Sequence, residues 1–231
     1  MDSPTLLLFD IDGTLILTGR AGLRAMVRTF EALFGVPNAF DGVSMGGRTD
    51  SWLVSDAFRR WGLADTPDTH ARFRAEYLPR LASEILLPGT GVKGVMPGVR
   101  ELLDAAAAHP QIHLALLTGN YREAASIKLR YFDLWNYFTF GAYAEDSADR
   151  NLLVPIACER ATAHGLPEAA RRRVVVVGDT PHDVACAAVA GARSIGVATG
   201  GHTREELERA GADVALDDLS DTDRVLRLIV V

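Results

Sequence analysis

The chain has 231 residues, 48% of them hydrophobic and 23% charged, with 24 Lys+Arg against 30 Asp+Glu for a net charge of −6. That is a globular composition of about one and a half domains at roughly 150 residues each, and it excludes a disordered chain. The acidic balance argues against a general nucleic-acid binder, which needs a basic face, and no run of about 18 apolar residues exists to cross a membrane.

The N-terminus, MDSPTLLLFD, has no basic segment before its short apolar stretch. No signal peptide is expected, and the chain is expected to be cytoplasmic. Leu6-Leu7-Leu8-Phe9 is a continuous apolar run that breaks at Asp10-Ile11-Asp12-Gly13-Thr14. Such a run suits a strand buried on both faces, as in a parallel sheet. Residues 20–90 show no strand pattern. Leu23, Met26, Val27, Phe30, Leu33 and Phe34 form one helical stripe, closed by Gly35 and Pro37. A second helix is predicted over about 50–61. A third is predicted over about 68–86, kinked or split at Pro79.

Beyond a Gly-rich return at 89–98, helices and strands alternate. Helices are predicted at 98–108, 121–130, 153–164, 182–190 and 203–210. Strands are predicted at 112–117, near 137–141, at 174–177, 194–198 and 213–216. The alternation implies parallel βαβ units with right-handed crossovers. The fold class is therefore α/β, a doubly wound parallel sheet with an inserted helical domain. The expected core is 1–15 and 92–231, and the expected cap is 16–91. Cys158 and Cys186 form no zinc or CxxC spacing and read as buried free thiols in Ala-rich helices. Arg171-Arg172-Arg173 reads as a solvated lead into a strand.

Ligands of open parallel sheets bind outside the carboxyl ends of the strands. Three such ends are polar: Asp10, Asp12 and Thr14; Thr118, Gly119 and Asn120; Gly178, Asp179 and Asp183. Three converging carboxylates repel one another, a divalent cation relieves the repulsion, and all-oxygen ligation suits Mg²⁺. With hydroxyl and backbone N–H donors alongside, the set suits a phosphoryl group. There is no Walker A sequence and no GxGxxG after a strand.

Phe9-Asp10-Ile11-Asp12-Gly13-Thr14, Leu117-Thr118-Gly119-Asn120 and Val177-Gly178-Asp179-Thr180-Pro181-His182-Asp183 resemble, in order and spacing, motifs I, II and IV of the haloacid dehalogenase-like hydrolase superfamily. The helical insert resembles the C1-type cap of its phosphoglycolate phosphatase and β-phosphoglucomutase branch. The resemblance implies a phosphatase that passes through an aspartyl-phosphate. Asp10 would be the nucleophile and Asp12 the general acid and base, so their pKa values must be driven apart. Mg²⁺ would be held by Asp10, the Asp12 carbonyl and Asp179, with Asp183 and Thr14 nearby. Thr118, Gly119 and Asn120 would hold the phosphoryl oxygens.

The family usually places a Lys between motifs II and IV. This chain has none after Lys128, and Arg150 sits at the expected start of the helix before the third polar strand, so the cationic role is assigned to Arg150, with Lys128, inside a helix, the weaker candidate. An Arg stays charged and grips phosphate and carboxylate in two places. In the cap, Gly46-Gly47-Arg48-Thr49-Asp50 opens a helix that Thr49 or Asp50 would cap. Arg48 and Arg20 are candidates for contact with the substrate. His182 is expected to face outward without a role. Thr14 favours hydrolysis over a phosphosugar mutase, because mutases of the family tend to carry a bulky aliphatic there. Asp12 argues against a metal-independent 2-haloacid dehalogenase. A non-catalytic binding protein of the same fold would usually have lost one of Asp10, Asp12 or Asp179. The expected partner is a small phosphorylated metabolite, with no nucleic acid, and the chain a monomer or homodimer.

Overall fold

The computed structural model describes residues 4–167, 170 and 173–230. Arg171 and Arg172 lie outside the described residues. Six parallel strands form the main sheet: β1 (Thr5–Phe9), β4 (Ile112–Leu117), β5 (Gly141–Ala142), β6 (Val174–Gly178), β7 (Arg193–Val197) and β8 (Val214–Leu216), in the order β5-β4-β1-β6-β7-β8. β1 lies between β4 and β6, with Phe9 opposite Leu116 on one side and Val177 on the other. The strand order reverses at β1, so its carboxyl end opens into the crevice where such sheets bind ligands.

Both faces of β1 are covered, which explains its unbroken apolar run. Leu7 and Phe9 pack with Leu102, Leu103, Val225 and Ile229; Leu6 and Leu8 pack with Leu153, Ala157, Cys186 and Ala187. The helices behind these contacts are α4 (Val99–Ala108) and α9 (Thr222–Val230) on one face, and α6 (Leu153–Ala163) and α7 (Pro181–Val189) on the other. α5 (Arg122–Tyr131) follows β4, and α8 (Arg204–Arg209) joins β7 to β8. Cys158 and Cys186 are buried and not joined in a disulfide, as expected.

The helical insert is α1 (Ala21–Phe34), α2 (Asp50–Arg60) and α3 (Pro67–Glu84). Phe30, Phe58, Phe73 and Tyr77 form its centre, and Tyr121, Ala124 and Ala144 from the α/β core join the same cluster. The cap therefore packs directly on the start of α5. Between described residues, no helix is long and apolar enough to cross a membrane.

The structure corrects four expectations. The two ends of the insert pair as an antiparallel ribbon, β2 (Ile16–Thr18) with β3 (Lys93–Val95), a strand pair the sequence did not announce. α3 continues through Pro79 rather than splitting. Pro79 removes one helical hydrogen bond, but buried Tyr77, Leu78 and Leu81 hold both sides of it in place, and packing outweighs propensity. The strand predicted near 137–141 is a 3₁₀ turn at Trp135–Tyr137 followed by the two-residue β5. The last helix, α9, was not foreseen.

Candidate active site

Asp10 follows β1 directly. Its N–H donates to the Val177 carbonyl at 3.0 Å, so the strand pairing continues into the site and fixes the carboxylate, which is 5% exposed. Gly13 has φ +89, and a Cβ there would lie 2.9 Å or less from atoms of the Asp179 carboxylate. Only glycine allows the motif I turn to pass this close to β6. Thr14 donates from its hydroxyl to Asp179 Oδ1 at 3.2 Å and so orients that carboxylate.

Asp179 ends β6. Thr180 then caps α7, and Asp183 reciprocates: its Oδ2 accepts from the Thr180 N–H at 3.0 Å and from the Thr180 hydroxyl at 2.7 Å. The other oxygen of Asp183 lies 2.5 Å from Arg150 Nη2, which is also 3.0 Å from Asp10 Oδ1. Arg150 comes from a 3₁₀ turn, Arg150–Leu152, ahead of α6. Burial works against its charge, and Asp183 and Asp10 more than offset that. Carboxylate oxygens of Asp10, Asp179 and Asp183 lie within 4.8 Å of one another, all buried. Both Asp183 oxygens are already engaged, so Asp10 and Asp179 are the freer donors to a cation.

The electrostatics of this trio fit a divalent ion. Burial, with Asp183 and Asp12 adding to it and Arg150 opposing, pushes Asp10 up to about 6. Burial and the neighbouring Asp10 and Asp183 raise Asp179 well above the usual carboxylate range. These are acids short of positive charge, and a cation among them would hold them ionised. All donors are oxygens, which suits Mg²⁺.

Asp12 points the other way, into the cleft, with 41% of its side chain exposed. Lys128 Nζ lies 2.6 Å from Asp12 Oδ2 and donates to Asn120 Oδ1 at 2.6 Å. Asn120 Nδ2 donates to Asp12 Oδ2 at 2.7 Å and to Thr118 Oγ1 at 2.9 Å. The ranking of Arg150 above Lys128 therefore needs correction: both cations stand at the site, Arg150 on Asp10 and Lys128 on Asp12. Lys128 lies among the buried positions Ala124, Ala125 and Leu129 of α5. A lysine within an apolar helical stripe was the signal available in the sequence.

The cap closes over these groups. Thr49 caps its own helix, accepting from Trp52 N–H at 3.1 Å. Asp50 does not share that task. Its N–H donates to the Gly119 carbonyl at 2.6 Å, and its Oδ2 accepts from the Tyr121 N–H at 2.9 Å, ahead of α5. Asp50 is thus a cap residue that caps a core helix. Thr49 and Ser51 donate to the Ala148 and Ala144 carbonyls at 2.9 and 2.7 Å. Gly47, at φ +71, comes so close to His182 that a Cβ would lie 2.6 Å from the ring. His182 is half-buried under the cap loop rather than facing outward. Burial, with Arg48 and Arg150, lowers its pKa.

Arg20 and Arg48 are less committed. Both are exposed residues at the cleft. Arg20 precedes α1 in a left-handed conformation, φ 64, and Arg48 lies 4.3 Å over the Trp52 ring. The cleft between cap and core has a volume of about 220 Å³, and Asp10, Asp12 and Asn120 are among the residues that line it.

Burial pushes the Asp50 carboxyl up to about 7, against the pull of Lys128 and the Tyr121 hydrogen bond. A raised folded-state pKa gives stability that is present at low pH and lost as pH rises from the unfolded value towards about 7. Asp50→Asn keeps the acceptor without the charge. The variant should unfold at a higher temperature than the native chain at pH 8, with the gap narrowing as pH falls below about 7 and closing near about pH 4. Thermal unfolding across that range checks this, and a gap independent of pH would contradict it.

The model of the haloacid dehalogenase-like hydrolase family matches residues 7–188. The chain belongs to this family. The match runs from β1 to α7 and so takes in all three polar strand ends. Among curated relatives, "Probable phosphatase IndB" of Dickeya dadantii is 28% identical, over 94% of this chain and 90% of its own length. Tyrosine-protein kinase PtkA of Mycobacterium tuberculosis is 27% identical, over 92% of this chain and 68% of its own. The structure of CbbY from Rhodobacter sphaeroides in complex with phosphate has a TM-score of 0.69 at 24% identity and covers 94% of this chain and 96% of its own. The protein is a haloacid dehalogenase-like hydrolase with a helical cap between β2 and β3, and its buried Asp10, Asp179 and Asp183 fit that family's metal site.

Proposed function

We propose that the chain is a Mg²⁺-dependent phosphatase that cleaves a small phosphomonoester, phosphoglycolate-like or a sugar phosphate, through an aspartyl-phosphate on Asp10. The observation that carries this reading is the division of labour between the two motif I acids. Asp10 is buried among Arg150, Asp179 and Asp183, while Asp12 faces the cleft beside Lys128 and Asn120. Similarity to a phosphatase and to a fold seen with bound phosphate supports the same chemistry.

An oxygen of Asp10 attacks phosphorus, and the bond from phosphorus to the alkoxide oxygen breaks. Asp12, which must enter this step protonated, gives its proton to that alkoxide, which leaves as the alcohol. Asp12 then takes a proton from water as the water oxygen attacks phosphorus. The phosphorus–Asp10 bond breaks, inorganic phosphate departs, and the Asp10 carboxylate is restored. Thr118, Asn120, Lys128 and the backbone of Gly119 hold the phosphoryl oxygens. Arg150 holds Asp10 in line, and Asp183 and Thr180 hold Arg150 and its turn. Asp10, the Asp12 carbonyl and Asp179 would hold Mg²⁺, with Thr14 fixing Asp179. When bound, that ion supplies positive charge against the phosphoryl oxygens and the acids around it. The cap excludes bulk water and must open to exchange substrate and product.

Phosphate release from an aryl phosphate, with Mg²⁺ and with chelator, tests this reading. Turnover is expected with Mg²⁺ and should disappear with chelator. Turnover unaffected by the chelator would contradict it.

A further inference from the structure

Tyr77 of α3 is fully buried and lines the cleft between cap and core. Among the described residues its hydroxyl has no hydrogen-bond partner. An orphaned phenol in a buried site is uncommon and points to a missing acceptor. Gly22 of α1 keeps the space in front of it open. A Cβ at Gly22 would lie 3.4 Å from Lys128 Nζ and 3.7 Å from the Tyr77 hydroxyl oxygen. Two donors from different domains thus face one small gap, and one of them also holds Asp12. The walls leading to the gap are apolar: Leu23, Met26, Met45 and Leu53 line the same space.

The charges around the gap select what could fill it. Lys128 is positive, but Asp12 is paired with it and Asp50 lines the same space. Arg20, Arg48 and Arg150 line other parts of the cleft, but the charges that act on the Tyr77 hydroxyl are Asp50 and Asp12, so a second anion beside it would face two acids. A neutral oxygen has no such conflict. Burial and Asp50 raise the Tyr77 pKa well above its usual value, so the phenol keeps its proton and acts as a donor.

Resting on the phosphatase reading above, we infer that the Tyr77 hydroxyl, next to the Lys128 that holds the phosphoryl group, forms a specificity subsite for a neutral oxygen, a hydroxyl or carbonyl, on the leaving alcohol of the substrate. The substrate class is then a monophosphate ester whose leaving group is uncharged. It has a short apolar skeleton against Met26 and Leu53 and an oxygen acceptor at its far end. Phosphocarboxylates, phosphoglycolate included, and bisphosphates fit this end less well, which narrows the pair proposed above to the sugar phosphate.

The test is a matched series: alkyl phosphates of three to six carbons, the same chains ending in a hydroxyl, and the same chains ending in a carboxylate. The terminal hydroxyl should raise kcat/KM about tenfold at its best chain length, the size of one added hydrogen bond in a dry site. The carboxylate series should not exceed the hydroxyl series. In Tyr77→Phe the hydroxyl advantage should vanish. Gly22→Ala offers an independent check, because its methyl would occupy the gap at ordinary contact distances and alanine favours a helix. It too should erase the advantage. A hydroxyl advantage that is absent from the native chain, or that persists in both variants, would overturn the inference while Mg²⁺-dependent cleavage of the alkyl series left the phosphatase reading intact. A carboxylate series that is cleaved best would overturn it equally. Absence of phosphate release from every member and from an aryl phosphate would instead sink the phosphatase reading, and the inference with it.

Discussion

Asp10→Asn should reduce phosphate release by roughly four orders of magnitude or more, as expected when a covalent nucleophile is removed. The amide of Asn is a poor nucleophile, and no neighbouring group can take over. Asp179 lies against Thr14, and Asp183 is committed to Arg150 and Thr180. The fold should tolerate the change. Asn removes one charge from a trio of mutually repelling acids, and Arg150 keeps its contact with Asp183. The variant should therefore unfold near the native temperature. Steady-state assays and thermal unfolding of the same preparation separate loss of chemistry from loss of structure. A variant that retains a tenth of native turnover would remove Asp10 from the proposed role.

The second large effect belongs to Asp12→Ala. Loss of a positioned acid and base costs about 10²- to 10⁴-fold. The loss should depend on the leaving group. An alkoxide needs a proton as it departs, whereas a nitrophenolate does not, so an alkyl phosphate should suffer more than a nitrophenyl phosphate. Because Asp12 faces the cleft, with 41% of its side chain exposed, its removal leaves no buried hole, and Lys128 keeps Asn120 as a partner. Equal losses for the two substrates would indicate that Asp12 only positions Lys128.

What the sequence disclosed follows from which physical signals are local. The run Leu6–Phe9 breaking at Asp10 marks a doubly covered strand and its active end, because burial on both faces leaves no alternation to misread. Glycine at 13 and the Thr180–Asp183 capping box are likewise readable in a few neighbouring residues. The pairing of β2 with β3 was not, since three-residue strands carry too little pattern and their partners are far apart in the chain. β5, two residues long, fails for the same reason.

Lys128, Asp50 and Tyr77 were harder still. Each sits in a helix where its spacing reads as part of an ordinary face, and each acquires its meaning from another domain or strand. Asp50 looks like a helix cap and is one, but for α5 rather than its own helix. Tyr77 reads as aromatic core, and its ring does stack on Phe73, while its hydroxyl faces the cleft. Arg150 was recoverable because it stands at the start of the helix ahead of the third polar strand end, where a cation is expected. Lys128 was underrated because distance along the chain says little about which face of α5 meets the Asp12 carboxylate.

The covalent step can be caught directly. Acid quenching during steady turnover of a phosphomonoester, followed by proteolysis and mass spectrometry, should find phosphate on the peptide that contains Asp10. The adduct should be labile to hydroxylamine, as an acyl phosphate is, and missing from Asp10→Asn. Unmodified Asp10 in a chain turning over at the native rate, or phosphate on another residue such as His182, would contradict the mechanism.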